Sequence, residues 1–333
     1  MICSNQINDF YSFFTNAQRV NSMNKIKKII LLTIIFIIFG CQSKKRTDNQ
    51  RVKNEETVEF PSELVNFIPY KNNPVFTGTG AKTWDKSIRE RGYILRKDSI
   101  YHLWYSGYNK DSTDTVFLGY ATSNDGLNWT RYSHNPIFTE YWVEDMQVVI
   151  HRGLFYMFAE GKNDIAQILT STDGIHWKKK HDLDIRMTSG EPISKGPFGT
   201  ITVWIENDKW YLFYERNDGG VWLAVSTDLK IWKNIQNKPV INKGPEQYDQ
   251  QAVAMNQIIK YKGKYYAYYH SSGHNPWRDW TTNVAMSEDL INWKKYPKNP
   301  IVSGNKSSGI LVNDGVQYRL YTMHPDIRVY FPK

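Results

Sequence analysis

Four short aromatic runs recur along the chain: Tyr101-His-Leu-Trp-Tyr105, Phe155-Tyr-Met-Phe-Ala159, Trp210-Tyr-Leu-Phe-Tyr214 and Tyr265-Tyr-Ala-Tyr-Tyr269. Each is followed by a second apolar run, such as Leu118-Gly-Tyr-Ala-Thr122, Ile168-Leu-Thr170 or Leu223-Ala-Val225, and then by the string Ser-x-Asp-[Gly/Leu]-x-x-Trp. That string occurs as Ser123/Asp125/Trp129, Ser171/Asp173/Trp177, Ser226/Asp228/Trp232 and Ser287/Asp289/Trp293, with spacings of 48, 55 and 61 residues. Short β-rich runs bounded by Asn, Asp and Gly predict strands joined by tight turns. A repeating unit of this size with four strands is one propeller blade. In each unit the Asp is expected to cap its turn and the Trp to pack between neighbouring blades.

A second regularity follows the Trp. Pro136, Pro239 and Pro300 stand seven residues after Trp129, Trp232 and Trp293, and Pro74 stands seven after Phe67. The N-terminal segment therefore reads as an outer strand with no blade in front of it. At the other end, Gly309-Ile-Leu-Val312, Val316-Gln-Tyr-Arg-Leu-Tyr321 and Ile327-Arg-Val-Tyr330 read as inner strands with no outer partner. Joining the two ends removes two exposed sheet edges. The expected fold is all-β, a five-bladed β-propeller over residues 63–333 closed by its N-terminal strand.

Ahead of the blades, Lys25, Lys27 and Lys28 precede the eleven-residue apolar run Ile29–Phe39, which ends in Gly40-Cys41 and a charged stretch. Eleven residues are too few to span a bilayer and fit a signal-peptide core. Ile38-Phe39-Gly40-Cys41 resembles the bacterial lipobox, which implies lipidation at Cys41 and an exported, membrane-tethered product. Residues 1–40 then form an upstream extension and signal peptide, with Met23 as the start, and 41–62 a polar tether.

Composition narrows the rest. The chain has 333 residues, only two cysteines, 15% aromatic and 23% charged residues. Disorder, collagen-like fibre and a disulfide-built scaffold are excluded. The net charge of +9 invites a nucleic-acid reading. Its excess lies in the leader, the tether and scattered Trp-Lys-Lys turns rather than in one basic face, so no nucleic-acid partner is expected. No zinc-ligand spacing, phosphate loop or Gly-x-Ser-x-Gly elbow occurs, so no cofactor is expected, although a propeller channel leaves room for a structural calcium ion. A monomer is expected.

The N-terminal ends of inner strands form a mouth where blades converge, so acids there are the candidates for chemistry. Blade one opens with Trp84-Asp85, blade two with Trp142-Val143-Glu144-Asp145, blade three through Gly190-Glu191-Pro192, and blade four through Tyr248-Asp249. The sixth position of the aromatic runs also changes character: Ser106, Glu160, Glu215 and His270.

With its Asn-Pro-Ile strands, a Trp-Asp early in blade one, a carboxylate ten residues before the second aromatic run and Tyr-Leu-Phe-Tyr-Glu in blade three, the sequence resembles the five-bladed glycoside hydrolase superfamily that includes families 43, 32, 68, 117 and 130. The resemblance runs over about residues 64–332. It implies Asp85 as blade-one base or nucleophile, Asp145 as blade-two carboxylate, and Glu215 or Glu191 as blade-three acid. Trp84, Trp142, Glu191, Asp249 and His270 are the expected sugar-binding residues. Asp145 is followed by Met146 where Asp-Pro is usual, and the Asn-Asp-Pro-Asn-Gly start of fructan enzymes is absent, which disfavours families 32 and 68. Paired carboxylates suit glycoside hydrolysis, in which one protonates the leaving oxygen while the other attacks or activates water. The expected activity is hydrolysis of an oligo- or polysaccharide. The competing readings are a non-catalytic glycan-binding propeller and a sialidase; the latter needs three arginines, and only Arg89 and Arg91 lie close together near the mouth.

Overall fold

The computed structural model describes residues 60–89, 91–113, 115–193 and 198–333. The leader, Cys41 and most of the tether lie outside the described residues. Val58–Lys333 form one compact unit, and no helix among the described residues is long and apolar enough to cross a membrane.

Five sheets, antiparallel except where Asp184–Arg186 pairs in parallel with Ile231–Asn234 in the third, stand around a common axis as five blades. Their innermost strands are Tyr93–Lys97, Glu144–His151, Thr202–Glu206, Ala252–Tyr261 and Ile310–Asn313. Each aromatic run lies in the second strand: Ile100–Tyr108, Leu154–Gly161, Lys209–Glu215 and Lys264–Ser272. These strands are sandwiched between blades, which is why they are apolar on both faces. The strand Phe67–Pro69 pairs with the C-terminal strand Arg328–Pro332 in the register Phe67↔Pro332 to Pro69↔Tyr330, so blade five is completed by the N-terminal strand as the sequence predicts.

The two sequence repeats have separate physical causes. In the Ser-x-Asp loops the Ser hydroxyl and Asp carboxylate bond to each other, at 2.9 Å for Ser123–Asp125, and the Asp accepts the N–H groups of Leu127 and Asn128 at 2.8 Å. Asp173, Asp228 and Asp289 repeat this pattern. These four aspartates are turn caps. The Trp then packs on the preceding blade: Trp177 on Trp104, Trp232 on Phe158 and Trp293 on Phe213, with ring centroids 6.0–6.3 Å apart. In the Asn-Pro strands the amide of Asn135 spans the backbone N–H and C=O of Tyr120, as Asn299 does for Val284 and Asn73 for Val329. A side chain thus supplies the ladder bonds where proline offers no donor.

Blades are also stitched across the axis. The Gln147 amide bonds both backbone groups of Val203 in blade three, and Gln257 does the same to Leu311 in blade five. The fully buried Arg91 guanidinium donates to the carbonyls of Ile201 at 2.7 Å and Met255 at 3.2 Å and to Thr202 Oγ1 at 3.1 Å. This arginine plugs the channel beneath the mouth.

Candidate active site

At the mouth, a cavity of about 290 Å³ is lined by Arg89, Glu144, Asp145, Glu160, Asp164, Thr200, Glu215, Asn217, Asp218, His270, Trp277 and Trp280. Its carboxyls come from two repeated positions. Asp145 stands ten residues before Phe155, as Arg91 does before Tyr101 and Thr200 before Trp210. These three equivalents meet: the Arg91 backbone N–H donates to Asp145 Oδ1 at 3.1 Å, and Thr200 Oγ1 to Asp145 Oδ2 at 3.2 Å. Asp145 itself holds φ at +45° inside a bulge that shifts the register between Glu144 and Gln147, which turns its side chain toward the mouth.

The second position is the sixth of the aromatic runs. Glu160, Glu215 and His270 sit there at strand ends and are 7%, 6% and 5% exposed. Glu215 accepts the Gly199 N–H at 2.6 Å and that of Asp218, while Glu160 accepts the N–H of Thr200. Burial pushes the Glu215 carboxyl up to about 8, reinforced by the negative charge of Asp218. Glu160, buried beside Asp145 and Glu144, is held well above the ordinary carboxylate range, chiefly by burial. Glu144 is pushed up to about 7 by burial and by Asp145, against the opposing pull of Arg89. Burial, with help from Arg91 and His324, drives His270 down to about 3, so its ring is neutral at ordinary pH. Its Nδ1 meets the Asn256 amide at 2.8 Å, and its ring stands edge-on to Trp280 at 5.1 Å.

Asp145, Glu215 and His270, singled out in the sequence, therefore converge. Others do not line the cavity. Asp85 is 3% exposed and accepts from Thr83 Oγ1 at 2.9 Å, Tyr105 OH at 3.0 Å and Arg131 Nε at 2.9 Å. It stands sixteen residues before its aromatic run rather than ten, too early to reach the mouth. Asp249 shares that offset, is fully buried, and pairs with Lys295 at 2.6 Å. In both pairs the cation follows the acid by 46 residues, so Asp85 and Asp249 are one repeated brace between a blade's opening turn and its outer strand. Trp84 stacks on Tyr105 at 5.8 Å within blade one. Trp142 stands behind Arg89, its ring 6.0 Å from the guanidinium. Glu191 lies exposed on the periphery of blade three, beside Ser189.

Residues the sequence reading did not select complete the lining. Asp164 and Asp218 lie in the hairpin loops between Gly161 and Ile165 and between Glu215 and Val221, where Asn163, Asp164, Asn217 and Asp218 all hold positive φ, a conformation that Asn and Asp tolerate. The signal was present: each Asn-Asp pair closely follows a sixth-position glutamate. Arg89 forms an ion pair with Glu144. Glu144, Glu160 and Asp164 each place one oxygen within 4.8 Å of the others, a set of hard donors of the type divalent cations take.

No family model matches the sequence. The 1,2-β-oligomannan phosphorylase of Thermoanaerobacter sp. (strain X514) is 24% identical over 221 residues, 61% of this chain and 71% of that protein. Among solved structures, one from the GH130 family of mannoside phosphorylases, which contains glycoside hydrolases that target β-1,2 mannosidic linkages in Candida mannan, superposes with a TM-score of 0.65 at 16% identity, covering 82% of this chain and 96% of the other. The β-1,2-mannobiose phosphorylase of Listeria innocua, in complex with β-1,2-mannobiose, gives 0.60 at 15% identity, with 80% and 96% covered. The chain thus has the five-bladed propeller fold of these glycosidases and phosphorylases.

Proposed function

We propose that this protein is an exported, lipid-anchored glycoside hydrolase acting on β-mannosides. The observation that carries the chemistry is that two carboxyls from different blades, the half-buried Asp145 and the buried Glu215, share one cavity in unlike surroundings. Glu215, raised to about 8, is protonated at neutral pH and serves as general acid to the leaving oxygen. Asp145, with hydrogen-bond donors on both oxygens, activates the attacking water. Glu160, beside Glu215 at Gly199, helps keep the acid protonated, because two adjacent buried carboxyls resist ionising together. The β-mannoside specificity rests on the relatives above.

Water is favoured over phosphate as the nucleophile by the charge of the mouth. Six carboxyls, Glu144, Asp145, Glu160, Asp164, Glu215 and Asp218, line the mouth against one guanidinium among the described lining residues, so even with Glu215 holding its proton the acids outnumber Arg89, which is already paired with Glu144. A phosphate dianion would enter a field of its own sign. The reaction as proposed uses no metal, so turnover is expected to survive EDTA; loss of turnover restored by calcium would instead assign a cation to Glu144, Glu160 and Asp164.

The deciding experiment incubates the purified protein with β-1,2-mannobiose with and without inorganic phosphate. Free mannose at equal rates in both is the expected result. Phosphate-dependent mannose 1-phosphate would overturn hydrolysis, and binding of the disaccharide with no product would make the protein a glycan-binding propeller.

A further inference from the structure

Besides its acids, the cavity has an aromatic wall that the hydrolytic chemistry does not use. Trp277 lines the cavity yet leaves 49% of its surface exposed, which is unusual for the largest apolar side chain unless something covers it. It is not on a loose loop. The buried Ser272 hydroxyl accepts the N–H groups of His274 at 3.2 Å and Arg278 at 3.3 Å and donates to the Arg278 carbonyl at 2.6 Å, cinching the segment into a ring. Trp280 backs Trp277 edge-on at 6.1 Å and itself rests on His270. His270, Trp280 and Trp277 form a rigid aromatic series from the cavity floor to its rim. Polar groups flank the rim residue, with His274 and Asp279 3.4 Å apart. A fixed aromatic face with polar groups at its edge suits a pyranose ring, whose faces are apolar and whose rim is hydroxylated.

The position also has a direction. Arg89, Glu144 and Asp145 belong to blades one and two, whereas Glu215 ends a blade-three strand and Trp277 follows a blade-four strand. A general acid stands beside the leaving oxygen, so the sugar beyond that oxygen lies on the Glu215 side of the cavity, toward blade four. We propose that Trp277 is the stacking platform for the leaving-group sugar, and that the protein therefore selects chains of two or more units over a single substituted sugar. This rests on the hydrolase reading above.

The test compares β-1,2-mannobiose with β-mannosyl fluoride, whose leaving group carries no sugar to stack. Trp277→Ala is expected to lower kcat/KM on the disaccharide by roughly 10- to 100-fold while changing it on the fluoride by less than about twofold, and Trp277→Phe to recover most of the loss. Retained fluoride turnover doubles as the check that the variant is folded. Equal losses on both substrates, or no loss on the disaccharide, would overturn the platform while leaving hydrolysis standing. A parent protein inert toward both substrates would overturn the hydrolase reading and the platform with it.

Discussion

Gly199 shows how closely the site is built around one absent side chain. A Cβ added there would collide with Oε1 of both Glu160 and Glu215, so the two carboxyls can approach only over a glycine. Gly199→Ala is expected to cost roughly 1–3 kcal/mol of stability by overpacking, read from urea unfolding, and to reduce turnover by splaying the acids apart. Glu215→Gln, which keeps the shape and removes the proton, is expected to lower kcat by about 10²–10⁴-fold with little change in KM. The parent's rate should fall as pH rises through about 8, where Glu215 loses its proton. Asp85 behaves differently: it braces Arg131 away from the cavity, so Asp85→Asn is expected to cost about 1–3 kcal/mol, below the full cost of breaking a buried pair because Arg131 is 34% exposed. Its folded fraction should keep near-parental turnover, measured as kcat per native protein by active-site titration.

At the scale of elements, the four Ser-x-Asp loops are interchangeable turn devices. Asp289→Ala, which removes acceptors for the N–H groups of Ile291 and Asn292, is expected to lower stability by about 1 kcal/mol and to leave activity untouched, as thermal unfolding and a rate assay would show. These loops were readable in the sequence because their bonds join residues only two or three positions apart. The sixth-position series Ser106, Glu160, Glu215 and His270 was readable as a pattern, and its meaning followed once Glu160, Glu215 and His270 proved to lie within the last three residues of their strands and to line the mouth. The Asp85 and Asp249 braces were equally regular, each 46 residues from its cation, yet their partners lie on an outer strand that local pattern does not place.

Across the whole molecule, closure depends on a three-residue strand. Deleting residues 1–70 would leave Arg328–Pro332 as an open edge, paired only with Tyr318–Thr322, and strip away the fully buried Leu64, whose carbonyl accepts the Tyr268 hydroxyl at 2.7 Å. Such a protein is expected to lose its cooperative unfolding transition in urea. The buried titratable groups also bound stability in pH. Glu215 has a folded value raised above that of the unfolded chain, so its contribution is complete at low pH and is lost as pH rises toward and through about 8. His270 has a lowered value, so its contribution is present above the unfolded histidine range and is lost as pH falls toward about 3. Urea midpoints across this range should therefore peak between the two and decline on both sides.

The sequence by itself determined the strands, the repeat, the number of blades and the closure of the ring, because these follow from short-range patterning that each blade repeats and from unmatched halves at the two ends. It also held Asp145, Glu215 and His270 in view, since all three sit at fixed offsets from an aromatic run. Only the tertiary structure decided which acids meet. Whether a carboxyl faces the mouth depends on a bulge that turns Asp145 inward and on a six-residue difference in offset that leaves Asp85 behind, paired to Arg131. The raised proton affinity of Glu215 was likewise beyond the sequence, for although Asp218 lies only three residues along the chain, the larger cause is burial, and the charge of Asp164 from the neighbouring blade is added only when the sheets close on one axis.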